Sequence, residues 1–280
     1  MSRTMLTASN TLGQLQKQMD VISHNIANVD TTGYKKQNAT FTDLLVQQLN
    51  NQPDTASEIG RLTPNGIRQG SGAKLAQIMT AMTQGGIKST GRELDAAFTK
   101  EGQFFRISVQ TETGREVQYT RDGSFYLTPV SNNELMLVTS DGNPVLDENN
   151  DLIVINGQAK EYKIDPNGSM IVSMANGNMQ SFNLGVSLVN KPQFLELKGN
   201  NLLGLPENIA DLNVGIDEIV TELNGPDRDQ ILIEQGSLEQ SNVDLSKEMT
   251  DLIQVQRSYQ FQARSINMAD QMLGLINGIR

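Results

Sequence analysis

The stretch Ser23–Lys36, SHNIANVDTTGYKK, closes a long regular apolar pattern and contains His24, the only histidine of the chain. Leading into it, Met5, Ala8, Leu12, Leu15, Met19, Ile22, Ile26 and Val29 recur at alternating spacings of three and four residues, the last two within the stretch itself. That is an a/d heptad, the narrow seam of a helix that pairs with another helix rather than lying on a globular core. Asn25, Asn28, Asp30, Thr31, Thr32 and Gly33 then stop the pattern. Short polar side chains compete for backbone hydrogen bonds, and glycine accepts the left-handed conformation that closes helices. A terminal helix is therefore expected within residues 1–34.

The other end mirrors it. Asn242 or Asp244 is placed to cap a helix, and Leu252, Val255, Tyr259, Ile266, Ala269, Leu273 and Ile276 follow at heptad spacing, interrupted only by Gln262. Leu245 and Met249 widen the seam at its start. Burying the larger apolar side chains of the first seam is worth on the order of 10–20 kcal/mol, available only when a partner covers it. Helix formation in water is close to neutral by itself. The two terminal helices are thus expected to pair as a coiled coil, and the remaining apolar surface to be covered by further copies of the chain or its relatives. An intramolecular helical hairpin is the simpler alternative.

Between the ends the texture changes. Asp122-Gly123, Asp141-Gly142, Asn156-Gly157, Asn167-Gly168 and Asn176-Gly177 are hairpin-type dipeptides. They separate alternating runs such as Phe105-Ile107-Val109, Phe125-Leu127, Met170-Val172-Met174 and Phe182-Leu184-Val186-Leu188. The fold class is therefore α+β, with terminal helices around a central antiparallel β-rich domain over 91–205. Residues 35–90 and 206–236 read as connectors, and 237–280 as the last helical segment.

Composition narrows the chemistry. There is no cysteine, which removes disulfides, thiolate nucleophiles and Cys-based zinc sites. Of the formal charge of −10, residues 1–45 carry four Lys/Arg against three Asp/Glu, 237–280 four against five, and 46–236 fourteen against twenty-four. An acidic middle repels nucleic acid and anionic lipid. No apolar run approaches the length needed to span a bilayer, and MSRTMLTASN has no apolar signal-peptide region. The first helix has a Gln/Asn-rich polar face with Arg3, Lys17 and Asp20, unlike a membrane-surface helix.

No catalytic constellation emerges. His24 lies off the seam without a nucleophile pattern around it, and there is neither a GxSxG elbow nor a phosphate-binding loop. The glycines of Gly66–Gly72 lack the strand-loop-helix context of a phosphate cradle. DENNDL, Asp147–Leu152, starts like a calcium loop, but Leu152 and Gln158 stand where Gly and Glu are required, so a β-turn is expected. No catalytic residue, metal site or cofactor is assigned.

Read together, these segments resemble bacterial flagellar rod and hook proteins. IANVDTTGYKK is similar to that family's ANxNTxGYK motif, with Asp30 for the usual Asn and Thr32 where Pro is common. RLTPNGIRQGSG resembles the LPxGxQxGxG connector of the distal rod type, and TGRELDAAFTKEGQFFRI and YTRDGSFYL match further family segments. GSLEQSNVDLSKEMTDLIQVQRSYQFQAR resembles the C-terminal motif, departing from it at Gln262 and Arg264.

The resemblance implies a structural subunit of a flagellar rod, most like the distal type, rather than an enzyme. Partners would be copies of itself, other rod and hook proteins and the flagellar export apparatus, with no nucleic acid and no membrane insertion. The location would be the basal body, reached by flagellar export. The expected assembly contacts are Leu12, Leu15, Met19, Ile22, Ile26, Asn28, Gly33 and Tyr34 near the first helix. Leu238, Asn242, Val243, Leu252, Gln256, Arg257, Tyr259 and Ile266 are their counterparts near the last. A hook or proximal rod subunit is the alternative within the family. A cell-wall enzyme or binding module is the alternative outside it.

Overall fold

The computed structural model describes residues 3–43, 46–49, 67–70, 73–112, 114–199, 201–206 and 214–278. The fold is α+β, with a helix at each end of the chain and an antiparallel β-rich region between them. Two compact units result, one built from residues 1–26, 37–79 and 245–280 and the other from 27–36 and 80–244.

In the helical unit, α1 spans Arg3–Ala27 and ends where the polar run begins. Ala8, Val21, Ile22 and Asn25 are buried, and Leu12, Leu15, Met19 and Ile26 are half-buried. The protected stripe is thus wider than the seam, because Asn25 on its flank is held at both ends of its amide. It donates to the Gln37 carbonyl at 2.9 Å and accepts from the Gln37 N–H at 2.9 Å, and it also donates to Glu248 at 3.0 Å. Strand 37–43 pairs with 73–80, and 46–49 pairs antiparallel with 67–70. Both pairs lie in the stretch expected as a connector, while Pro64, Gly66 and Gly72 lie outside the described residues.

The C-terminal helix is α3, Leu245–Gly278; α2 is a single turn at Ile216–Ile219 in the other unit. Asp244 immediately precedes α3, whereas Asn242 is engaged elsewhere and does not cap it. Along α3 the heptad run Glu248, Leu252, Val255, Tyr259, Gln262, Ile266 and Ala269 is buried or half-buried throughout. Leu273, expected to continue the run, and Leu245 and Met249, expected to widen its start, are exposed, as are Phe261, Met268, Met272 and Leu275 off the run.

The β-rich unit is organised by a six-stranded sheet in the order 196–199, 202–204, 114–120, 103–111, 186–189 and 220–222. Two three-stranded sheets, 154–156/134–139/125–131 and 159–164/169–174/179–183, complete one core with it. Phe98 and Phe105 stack at 4.2 Å, and Phe105 meets Phe125 edge-on at 4.9 Å. The alternation expected for strand 103–111 holds at Phe105 and Ile107, yet Phe104 is buried as well. It enters a second cluster with Tyr119, Val189, Leu203, Ile219 and Val220, so this strand is covered on both faces. Residues 214–236, expected as a connector, supply α2, the edge strand 220–222, and strand 233–235, which pairs with 96–98.

Not every Asx-Gly dipeptide closes a hairpin. Asn167-Gly168 and Asn176-Gly177 do, each with glycine at positive φ. Asp122-Gly123 and Asn156-Gly157 instead carry the chain from one sheet to another. At Gly123 the reason for glycine is close approach, since a Cβ there would stand 1.7 Å from the Ala96 carbonyl oxygen.

Candidate functional site

Within the β-rich unit the residues that follow α1 meet those that precede α3. Strand 237–239 pairs with 87–89, and the Gly33 N–H donates to the Glu239 carbonyl at 2.8 Å. Gly33 has φ +68, and a Cβ there would sit 2.5 Å from the Asp122 nitrogen. The left-handed conformation and the lack of room both require glycine. Thr32 donates to Asp122 at 3.0 Å, and Asn201 donates to the Thr32 carbonyl at 3.0 Å.

Glu239 is the centre of this junction. Lys35 Nζ donates to its Oε1 at 2.7 Å, the Gly85 N–H donates to the same oxygen at 2.8 Å, and the Arg121 guanidinium donates to Oε2. All three side chains are buried, with 5% of Lys35 and 1% of Glu239 exposed. Each nitrogen of the two cations has at least one acceptor. Lys35 reaches the Thr83 carbonyl at 2.8 Å, and Arg121 reaches the carbonyls of Gln103 and of Lys100, the latter at 2.8 Å. Arg121 also lies over the Phe98 ring at 5.0 Å. Burial by itself pushes the Glu239 carboxyl up, but Arg121 and Lys35 outweigh it and hold it below the usual carboxylate range. Burial raises Asp122, against hydrogen bonds from Ser124 and Thr32 that favour its charge.

Asn242 stitches the same junction through backbone. Its Oδ1 accepts from the Lys36 N–H at 2.7 Å, and its Nδ2 donates to the carbonyls of Ala81 and Thr83, each at 3.0 Å. One amide thus stands in for strand neighbours on two segments at once.

Of the expected contact residues, the structure gathers Gly33, Tyr34, Leu238 and Asn242 at this junction, with Tyr34 buried and Leu238 paired to Lys88. Val243 is buried beside them in sequence, and Asn28 accepts from the Thr31 hydroxyl at 3.1 Å. Leu12, Leu15, Met19, Ile22 and Ile26 lie along α1, and Leu252, Tyr259 and Ile266 along the protected run of α3. Gln256 and Arg257 are exposed on α3. The residues not foreseen as site residues are Lys35, Glu239, Arg121 and Asn25. The available signal was charge placed inside the terminal motifs, beside Gly33-Tyr34 and Leu238, where a helix end alone needs none.

The Asp147–Leu152 stretch is a turn closed by its own aspartate, whose Oδ1 accepts from the N–H groups of Asn149 and Asp151 at 2.8 Å. Among the described residues no three acidic or imidazole side chains gather around a possible metal position. Among them, too, no helix is long and apolar enough to cross a membrane.

The buried charge junction at Glu239 thus ties the residues that follow α1 to those that precede α3 within the antiparallel β-rich unit. The chain belongs to the flagellar basal-body rod and hook protein family, a structural and non-enzymatic family whose members assemble with other rod and hook proteins in the basal body. The family model described as flagella basal body rod protein matches residues 5–35. That for the flagellar hook protein FlgE/F/G D1 domain matches 101–172, and that for the flagellar basal body rod FlgEFG protein C-terminal region matches 234–279. The chain is 46% identical to the flagellar hook-basal body complex protein FlhP of Bacillus subtilis (strain 168), over 100% of both chains. It is 33% identical to the flagellar basal-body rod protein FlgG of the same organism, covering 98% of this chain and 97% of that one. It is also 32% identical to FlgG of Borreliella burgdorferi, covering 100% and 99%.

Proposed function

We propose that the chain is a distal-rod-type subunit of the flagellar shaft. In this reading α1 and α3 pair along their seams as a coiled coil, and the junction at Glu239 carries load between the segments next to the two helices. The helices complete their burial among copies of the chain and its rod or hook neighbours, and the subunit reaches its place through the flagellar export apparatus. The expected contact residues, from Leu12 to Tyr34 and from Leu238 to Ile266, are then shared between self-pairing and assembly.

One observation carries this. The heptad run of α3 is protected from solvent from Glu248 to Ala269, while Phe261, Met268, Met272 and Leu275 stand exposed at other positions of the same helix. An isolated soluble protein gains nothing from a helix apolar on two sides, whereas a subunit surrounded by helices does. The Asn25–Glu248 hydrogen bond supports pairing at the base of the helices. Relatives named for the rod support the subtype, and the FlhP likeness leaves a hook-adjacent position as the second reading.

The test is electron microscopy of basal bodies from cells lacking the gene. Rods that stop before the hook, with no filament outside, are expected. Intact hooks and filaments would overturn the distal rod assignment.

A further inference from the structure

Asn156-Gly157 reads in the sequence as a hairpin, and instead joins strand 154–156 to strand 159–164 of another sheet. Asn167, Asn176 and Asn224 also precede a glycine. Such a pair carries a reaction of its own. The glycine nitrogen lies within reach of the asparagine Cγ, and no side chain on the glycine hinders the approach.

What differs among them is the freedom of the side-chain amide. Asn167 and Asn176 close Asx turns, their Oδ1 atoms accepting from the N–H of Ser169 at 3.1 Å and of Asn178 at 2.9 Å. The Asn224 amide is held at both ends, accepting from Arg106 and donating to Glu222, each at 3.1 Å. Asn156 is exposed, and its side chain makes no hydrogen bond among the described residues. Only its backbone is restrained. The Gln180 amide accepts from the Asn156 N–H at 3.2 Å and donates to the Asn156 carbonyl at 2.9 Å. The attacking nitrogens do not separate the turn sites, since those of Gly157, Gly168 and Gly177 each donate to a backbone carbonyl, at 2.8, 2.9 and 3.0 Å.

We propose that Asn156 is a site of spontaneous covalent modification, the fastest-reacting of these asparagines in the folded chain, and that Gln180 restrains it. The Gly157 nitrogen gives up its proton and bonds to the Asn156 Cγ. The Cγ–Nδ2 bond breaks, and ammonia leaves with that proton. Water then opens the cyclic imide at either carbonyl, giving aspartate or isoaspartate, with no oxidation or reduction. Either product places a negative charge opposite Glu134, the cross-strand partner of Asn156. Like charges directly opposite weaken strand pairing. Isoaspartate also adds a methylene to the backbone next to the buried Ile155. The site lies in the β-rich unit, so it stands or falls independently of the reading of the terminal helices as polymer contacts.

The test incubates the full chain in mildly alkaline buffer, with and without urea, and follows each Asn-Gly peptide by mass spectrometry. For each site the rate in buffer is divided by the rate in urea, which removes the influence of neighbouring sequence. The ratio is expected to be several-fold higher at Asn156 than at Asn167, Asn176 or Asn224, and to rise several-fold further in Gln180→Ala. If Gln180→Ala fails to fold by circular dichroism, Gln180→Glu takes its place, since it keeps the acceptor for the Asn156 N–H and loses the donor to the carbonyl. A ratio at Asn156 no higher than at any of the other three would overturn the proposal. An unchanged ratio in the folded Gln180 variant would overturn the role given to Gln180.

Discussion

In the β-rich unit Phe98, Phe105 and Phe125 are sealed from solvent and touch one another, whereas on α3 Phe261 leaves 68% of its surface exposed and Leu275 leaves 69%. The same kind of side chain is core material in one unit and open surface in the other. The difference follows from geometry. A sheet folded against two smaller sheets covers its own apolar face, while a helix of 34 residues, roughly 50 Å long, can bury only the stripe its neighbours reach. The β-rich unit is therefore complete as a single chain, and in the proposed reading the helical ends are completed by other chains.

The contrast breaks most sharply at the junction. Replacing Glu239 by Gln leaves Lys35 and Arg121 buried without their counter-charge, and a loss of about 3–5 kcal/mol is expected in urea unfolding followed by circular dichroism. The same variant sharpens the pH dependence. The Glu239 carboxyl is held below 4.5 in the folded chain, so its contribution is complete above that pH and is lost as pH falls through the folded value. The acid limb of wild-type stability should therefore be steeper than that of Glu239→Gln. Asp122 acts with the opposite sign. Its pKa is raised above 3.8, so its contribution fades as pH rises through the folded value.

Gly33→Ala is the next largest effect. A left-handed alanine costs about 1–2 kcal/mol, and crowding against the Asp122 backbone about 1–3 more, so a loss of about 2–4 kcal/mol is expected in the same assay. Asn25→Ala removes the amide that satisfies Gln37, and a smaller loss of about 1–3 kcal/mol is expected, confined to the helical unit. Its readout is faster hydrogen exchange at the Gln37 amide with no change at Phe105. Phe261→Gln should cost the monomer under about 0.5 kcal/mol, as an exposed substitution does. It should nevertheless reduce rod assembly, measured as swimming of a strain carrying only the variant. A stable monomer with normal swimming would remove Phe261 from the contacts.

Much of this architecture was legible because it is local. The seam of α1, its end at the Asn28–Gly33 run and the hairpins at Asn167-Gly168 and Asn176-Gly177 depend on residues a few positions apart. The junction was not legible in the same way. Lys35 and Glu239 are 204 residues apart, and Arg121 and Glu239 118 apart, so no spacing announces either pair. Asp122-Gly123 misled for a related reason. A dipeptide reports permitted backbone angles, while the crowding of Gly123 against Ala96 is a matter of which strands meet. Strand 103–111 read as one-sided because a second cluster, built from residues as distant as Ile219, covers its other face.

The most direct test of the central claim is hydrogen exchange on the dilute monomer and on the assembled rod. Amides of α1 and α3 should exchange far faster than those of strand 103–111 in the monomer, and become as protected as that strand on assembly. Helices already as protected as the strand in the monomer would contradict the claim that the ends are completed by other chains.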